Sequence, residues 1–188
     1  QEVLFAGLFA WWVQFMLRHR ASQLRPAFLR AERFALTGAI ITQVVLVAFL
    51  ARLWLPAFSA TFILSIILFV CLRSLSTYMA ERARSESRVL LYTLIVAVFP
   101  ALGMALAILA AIRIDANAET MLIAMALAHA VAVIVAFFAS DIGRAAERTE
   151  RKILPQALRF GLPMGGAALM SVAALNAPRF IVEQLDGL

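Results

Sequence analysis

The sequence predicts an all-α, polytopic membrane helix bundle, and three observations carry that prediction. Of 188 residues, 64% are hydrophobic and 15% charged, and the mean hydropathy is +0.92. An ordinary globular domain is nearer about half apolar and about a quarter charged. The apolar residues gather in uncharged runs of about 18 residues or more, lengths that call for a bilayer rather than a core. Strand-like alternation is absent, and an open sheet leaves its backbone unsatisfied in lipid, so the spans are read as helices.

Six apolar segments follow in order. The first, at 3–17, is short for a span and starts part-way through a helix. The second covers 34–55, the third 60–80, and the fourth 89–112, which contains Pro100 and Gly103. The fifth covers 121–140 and the sixth 160–182. At 1.5 Å per residue each complete segment crosses a hydrocarbon core of roughly 30 Å. The chain opens on "QEVLF" with no basic leader, so no signal peptide is expected and the sequence reads as a piece of a longer protein.

The charges between the segments set an orientation. The connections at 18–33, 81–88 and 141–159 hold thirteen basic residues, whereas the opposite side holds Arg52, Arg113 and Arg179. By the positive-inside rule the thirteen face the cytoplasm, the first segment runs inward, and the sequence ends on the outer side. The expected location is the bacterial inner membrane. A pI near 11 would suit nucleic acid, but the basic residues sit in short clusters between apolar runs, so no nucleic-acid partner is expected. The longest connection, 141–159, mixes both signs; it is read as a cytoplasmic loop, with a helix lying on the inner leaflet as the alternative.

Catalytic and metal chemistry lack their usual signatures. Cys71 is the sole cysteine, which excludes an intrachain disulfide and a cysteine-based metal site. His19 and His129 have no partner at metal-ligand spacing. No phosphate-binding glycine loop and no carboxylate pair within a span is present, so no catalytic residue, metal or cofactor is assigned and the chain is not read as an enzyme. His129 is expected to pack between helices and hydrogen-bond a neighbour, a proton relay being the lesser alternative.

Polar groups inside the spans are therefore the functional signal, because they are costly there. Arg73 has two readings: it snorkels toward the inner headgroups, or it faces a hydrated interior beside Ser74, Ser76 and Thr77. The sixth segment opens on "FGLPMGGAALM", in which Gly161 and Gly165 form a close-packing GxxxG pattern. Pro178 frees a carbonyl one turn earlier and allows a kink. Asn176, Arg179, Glu183 and Asp186 fall on one helical face, and Arg179 can pair with Glu183 four residues on. That stripe faces something other than lipid, or it marks a helix ending early at the outer interface.

The stretch "LPMGGAALMSVAALNAPRFIVEQLDG" resembles the seventh helix of bacterial polysaccharide (O-antigen type) flippases of the multidrug/oligosaccharidyl-lipid/polysaccharide exporter superfamily. Leu162, Pro163 and Gly165 match the start of that pattern, followed by Leu175, Asn176, Pro178, Arg179, Phe180, Glu183 and Gly187; the step from Asn176 to Pro178 is shorter than in the family. "YMAERARSESR" and "FFASDIGRA" are similar to the cytoplasmic ends of the family's fourth and sixth helices. The resemblance implies a fragment covering helices two to seven of a roughly twelve-helix, two-lobed transporter. Residues 1–154 are then the remainder of the N-terminal bundle and 155–188 the first helix of the C-terminal bundle. It further implies that undecaprenyl-diphosphate-linked oligosaccharide is moved across the membrane by alternating access, for surface polysaccharide synthesis. Arg179, Asn176, Arg73 and Glu183 are the implied substrate-binding residues, and Pro178 and Pro100 the implied hinges. The implied partners are the lipid-linked oligosaccharide, membrane lipids and polysaccharide-assembly proteins. A drug or lipid exporter of the same superfamily is the alternative, and a polymerase or ligase of polysaccharide assembly or a helical scaffold subunit comes after it.

Overall fold

The computed structural model describes residues 25–54 and 59–139, with isolated positions between 155 and 174. The first segment at 3–17, the GxxxG pair, Asn176, Pro178, Arg179, Glu183 and Asp186 lie outside the described residues. The chain divides into two compact units, Ile40–Ala145 and a second made of Gln1–Ala39 and Ala146–Leu188. Among the described residues the structure is all-helical, and three helices are long and apolar enough to cross a membrane.

Helix α1 spans Arg25–Trp54 over 30 residues. It starts nine residues before the apolar segment read from the sequence, because the basic stretch ahead of Phe34 contains good helix formers and continues the same turn. Its apolar part is Leu36–Phe49. Gln43 and Ala51 are buried, while Ile41, Val45 and Phe49 are exposed.

Helix α2 spans Ala60–Ser85. Ser59 caps it: its hydroxyl accepts from the Phe62 amide at 3.1 Å, satisfying one of the four amides that a helix start leaves without partners. The charged stretch read as a connection at 81–88 is helical as far as Ser85, so the true connection is only residues 86–88. The helix stops there through a paired closure. The Arg88 amide bonds the Ala83 carbonyl at 2.9 Å and the Ser87 amide bonds Arg84 at 3.1 Å. This is the Schellman arrangement, and it puts Ser87 at φ 58°, a left-handed position usually given to glycine. A side chain there costs about 1 kcal/mol. Ser87→Gly is accordingly expected to stabilise the purified protein by about 1 kcal/mol in chemical denaturation, and an unchanged or lowered midpoint would contradict this account of the turn.

Helix α3 spans Val89–Arg113. It contains a wide π-helical turn, Leu94–Val98, in which the Phe99 amide reaches the Leu94 carbonyl five residues back. Pro100 is the reason. It has no amide hydrogen, and its ring would collide with the carbonyl one turn earlier in an ordinary α-helix. Widening the turn absorbs both defects without breaking the span.

Helix α4 spans Ala118–Ala139. Asn117 caps it, its side-chain oxygen accepting from the Thr120 amide at 2.7 Å, and Glu119 in the first turn complements the positive end of the helix dipole. Two contacts fix the topology. The Thr61 hydroxyl donates to Glu119 at 3.3 Å, and the Arg88 guanidinium donates to the Ala139 carbonyl. So α2 and α4 run the same way and α3 runs back between their ends.

The packing inverts that of a water-soluble core. Leu90, Ile112 and Phe138 are 76%, 73% and 83% exposed, while Ala132 and Ala136 are 0% and 1%. Most large apolar side chains point outward, Ile95, Val70 and Met79 being buried exceptions, and the inward positions are mainly alanine. In lipid no hydrophobic force drives helices together, so association depends on close backbone approach and interhelical hydrogen bonds, which small residues permit. Gly103 on α3 marks a tight approach of this kind. A Cβ added there would lie 3.0 Å from the Ala128 Cβ and 3.7 Å from the Met125 Cα. Buried Ala124, Ala128, Ala132 and Ala136 recur every four residues along α4.

Candidate functional site: polar groups on the inner faces of the bundle

The described polar residues fall into three groups within the bundle. The first joins α1 to α2. The Ser74 hydroxyl donates to Gln43 Oε1 at 2.7 Å, and both residues are almost completely buried. Gln43 Nε2 is buried without a hydrogen-bond partner among the described residues. Whichever way the amide is turned, a single hydroxyl cannot satisfy both of its ends. An unsatisfied buried donor costs about 1–3 kcal/mol. Gln43 is therefore an expensive residue to keep inside the apolar part of α1.

The second group joins α2 to α4. The Arg73 guanidinium lies over the Phe69 ring, 5.9 Å from its centroid, in range of a cation–π attraction. His129 meets the same ring edge-on, with centroids 5.7 Å apart and an interplanar angle of 60°. Side chains on a helix lean toward its N-terminus, and Phe69 is one turn N-terminal of Arg73. The guanidinium thus points deeper into the span, away from the end that carries Arg82 and Arg88. Snorkelling toward that end, one of the two readings from sequence, is not what the side chain does. His129 is buried as expected of a packing residue, but its Nδ1 makes no hydrogen bond among the described residues, so the neighbour's bond expected of it is not formed there.

The third group closes one end. Arg82 is buried, yet it is paired: its Nε lies 3.1 Å from Glu86 Oε1, and its Nη1 donates to the Tyr78 hydroxyl at 3.3 Å. The other Glu86 oxygen holds Arg88 Nε at 3.1 Å, and Arg88 reaches the Ala139 carbonyl. One carboxylate therefore ties the end of α2 to a guanidinium that closes the C-terminus of α4, where unpaired carbonyls carry partial negative charge. Arg84 pairs separately with Glu81 at 2.7 Å.

Of the residues singled out from sequence, Arg73 lies in the second group and Pro100 lies two residues beyond the π-turn of α3. The remaining four candidates, Asn176, Pro178, Arg179 and Glu183, lie outside the described residues. Sequence reasoning missed Gln43, although a lone amide in "IITQVVLVAF" carries the same intramembrane-polarity signal as Arg73. It also placed Arg82 and Arg88 in a connection at 81–88 and assigned Glu86 no role. Among the described residues no group of three His, Cys, Asp or Glu is placed to hold a metal ion.

Among the described residues, an apolar exterior, small-residue helix contacts and polar groups turned inward define the class: an all-helical protein with three helices long and apolar enough to cross a membrane. No protein-family model, characterised relative or solved structure matches the chain.

Proposed function

We propose that this chain is part of an inner-membrane carrier that moves an undecaprenyl-diphosphate-linked oligosaccharide between leaflets by alternating access. One observation carries the reading: costly polar side chains, Arg73 and His129 around Phe69 and Gln43 with Ser74, are kept on the inner faces of helices whose exteriors are apolar. A polar glycan and a diphosphate cross hydrocarbon only along a polar path. Guanidinium groups suit the diphosphate through paired N–H donors. The resemblance of residues 162–187 to the polysaccharide flippases supplies the substrate class, with Arg179 and Arg73 answering the diphosphate, Asn176 the sugar hydroxyls, and Glu183 orienting Arg179. The π-turn ahead of Pro100 suits a hinge, because a helix already lacking one bond bends there at little cost. In this reading the end that carries Arg82, Arg84 and Arg88 faces the cytoplasm.

The test is complementation of a flippase-deficient strain by the full-length protein carrying Arg179→Ala or Arg73→Ala, with membrane expression matched to wild type. Loss of a charge-assisted contact to phosphate costs about 1.5–3 kcal/mol, so surface polysaccharide is expected to fall roughly tenfold or more. Full polysaccharide from both variants would dispose of the proposal.

A further inference from the structure

The outer surface of α3 and α4 carries a groove of about 420 Å³, at the end of the bundle opposite Arg88. Its walls include Leu106, Leu109 and Ala110 of α3 and Ile123, Ala124 and Leu127 of α4, and Arg113 and Thr120 line it as well. The volume is in the range of sites that bind small ligands. Among the described residues lining it, Arg113 is the one that carries a charge.

Three features of the groove bear on what occupies it. The Arg113 guanidinium makes no hydrogen bond or ion pair among the described residues, although two carboxylates lie within the next six positions. Both are engaged elsewhere: Asp115 accepts from Asn117 at 2.6 Å, and Glu119 accepts from Thr61. The Thr120 hydroxyl on the facing wall is likewise without a partner among the described residues, its backbone amide alone being held by Asn117. So a cation and a hydroxyl donor line one groove, and neither is held by a protein acceptor among the described residues. Arg113 is also the last residue of α3, whereas Leu109 and Leu106 lie roughly 6 and 10 Å further along the helix axis, toward the middle of the span. Finally, Gly103 of α3 and Ala128 of α4, a pair at which these helices approach tightly, are already spent on each other. Apart from Ala110 and Ala124, the apolar walls of the groove are long branched side chains, a poorer seat for another helix backbone than for a flexible hydrocarbon chain.

We infer that this groove binds one anionic phospholipid, with its phosphate on Arg113 and Thr120 and an acyl chain between α3 and α4. The site is separate from the polar groups to which transport is attributed, and its occupancy does not depend on that reading. The guanidinium offers parallel donors to two phosphate oxygens. The chain lies against Leu106, Leu109 and Leu127, where a tail of the same leaflet would run.

The experiment is native mass spectrometry of the full-length protein released from detergent, titrated with phosphatidylglycerol. Wild type is expected to retain one lipid, Arg113→Ala to weaken retention by about tenfold, and Arg113→Lys to lose less. Ala110→Phe fills the groove and leaves Arg113 in place; it is expected to weaken retention equally, and Thr120→Val serves instead if that variant does not fold. Retention at the wild-type level in both Arg113→Ala and the groove variant would overturn the inference. Displacement of the lipid by glycerol phosphate at equal concentration would also overturn it, since the site would then recognise the headgroup alone. A photo-crosslinker at Leu109 is expected to capture lipid; capture of another helix of this chain or of a second copy would show that protein fills the groove, and the inference would fall.

Discussion

Replacing Glu86 with alanine is expected to destabilise the protein by about 3 kcal/mol. The loss comes mainly from what is left behind. Arg82 is buried at the end of α2, and Glu86 carries the negative charge paired with it. Without that carboxylate, a desolvated guanidinium loses the charge at 3.1 Å and keeps the neutral Tyr78 hydroxyl among its acceptors, and removing one partner of a buried pair costs more than the pair contributes. Arg88 also loses its tether, and with it the contact that closes the C-terminus of α4 weakens. Unfolding in mixed micelles should show the loss directly, with Glu86→Gln losing less because an acceptor remains. The double replacement Arg82→Met with Glu86→Leu separates burial from pairing. Two apolar residues of similar volume remove the buried guanidinium together with its carboxylate, so the double variant should recover most of the loss, short of what the Arg88 tether contributes. A single Glu86→Ala variant within about 0.5 kcal/mol of wild type would show that this carboxylate does not hold the end of the bundle together.

A second large effect is expected at Gly103. A leucine there would force its side chain into the space held by the Ala128 Cβ and the Met125 backbone, where even a bare Cβ finds only 3.0 Å. Backbone cannot move aside as a flexible side chain does, so α3 and α4 must separate. Overpacking of this kind costs about 1–3 kcal/mol, and here it also opens the close contacts on which association in lipid depends. Gly103→Ala is a finer probe. Alanine gains about 1 kcal/mol of helix propensity over glycine, set against a contact that Ala128 must relieve by a few tenths of an ångström. Adding Ala128→Gly removes that contact, so the double variant should be more stable than the sum of the single changes predicts. Strict additivity would show that the two residues do not touch in the membrane.

These two sites differ in how far they were legible beforehand. Gly103 could be seen in the sequence as a glycine in an apolar span, but its partner could not. The signal existed as alanine at every fourth position from 124 to 136, a pattern of side-chain volume rather than of polarity. Glu86 was visible only as one charge in "ERARSESR". Read by composition, that stretch is a loop obeying topology. Folded, it is one more turn of helix, a left-handed Ser87 and a pair of guanidiniums shared by one carboxylate. Arg73 was legible as a costly group, and its direction was not. Nothing in the sequence placed Phe69 beneath its guanidinium rather than the headgroups beside it.

Composition alone required that these segments be helices, and it located three of them closely, because a long uncharged run has one stable backbone in hydrocarbon. It required as well that Pro100 disturb the fourth segment, since a missing amide hydrogen is a local fact. Which face of each helix turns inward was a matter for the assembled bundle. In water that choice is written as alternating polarity, but a membrane helix is apolar on its lipid side and apolar on its packing side. The difference between the two is how closely another backbone can approach, and that depends on the neighbour as much as on the helix itself.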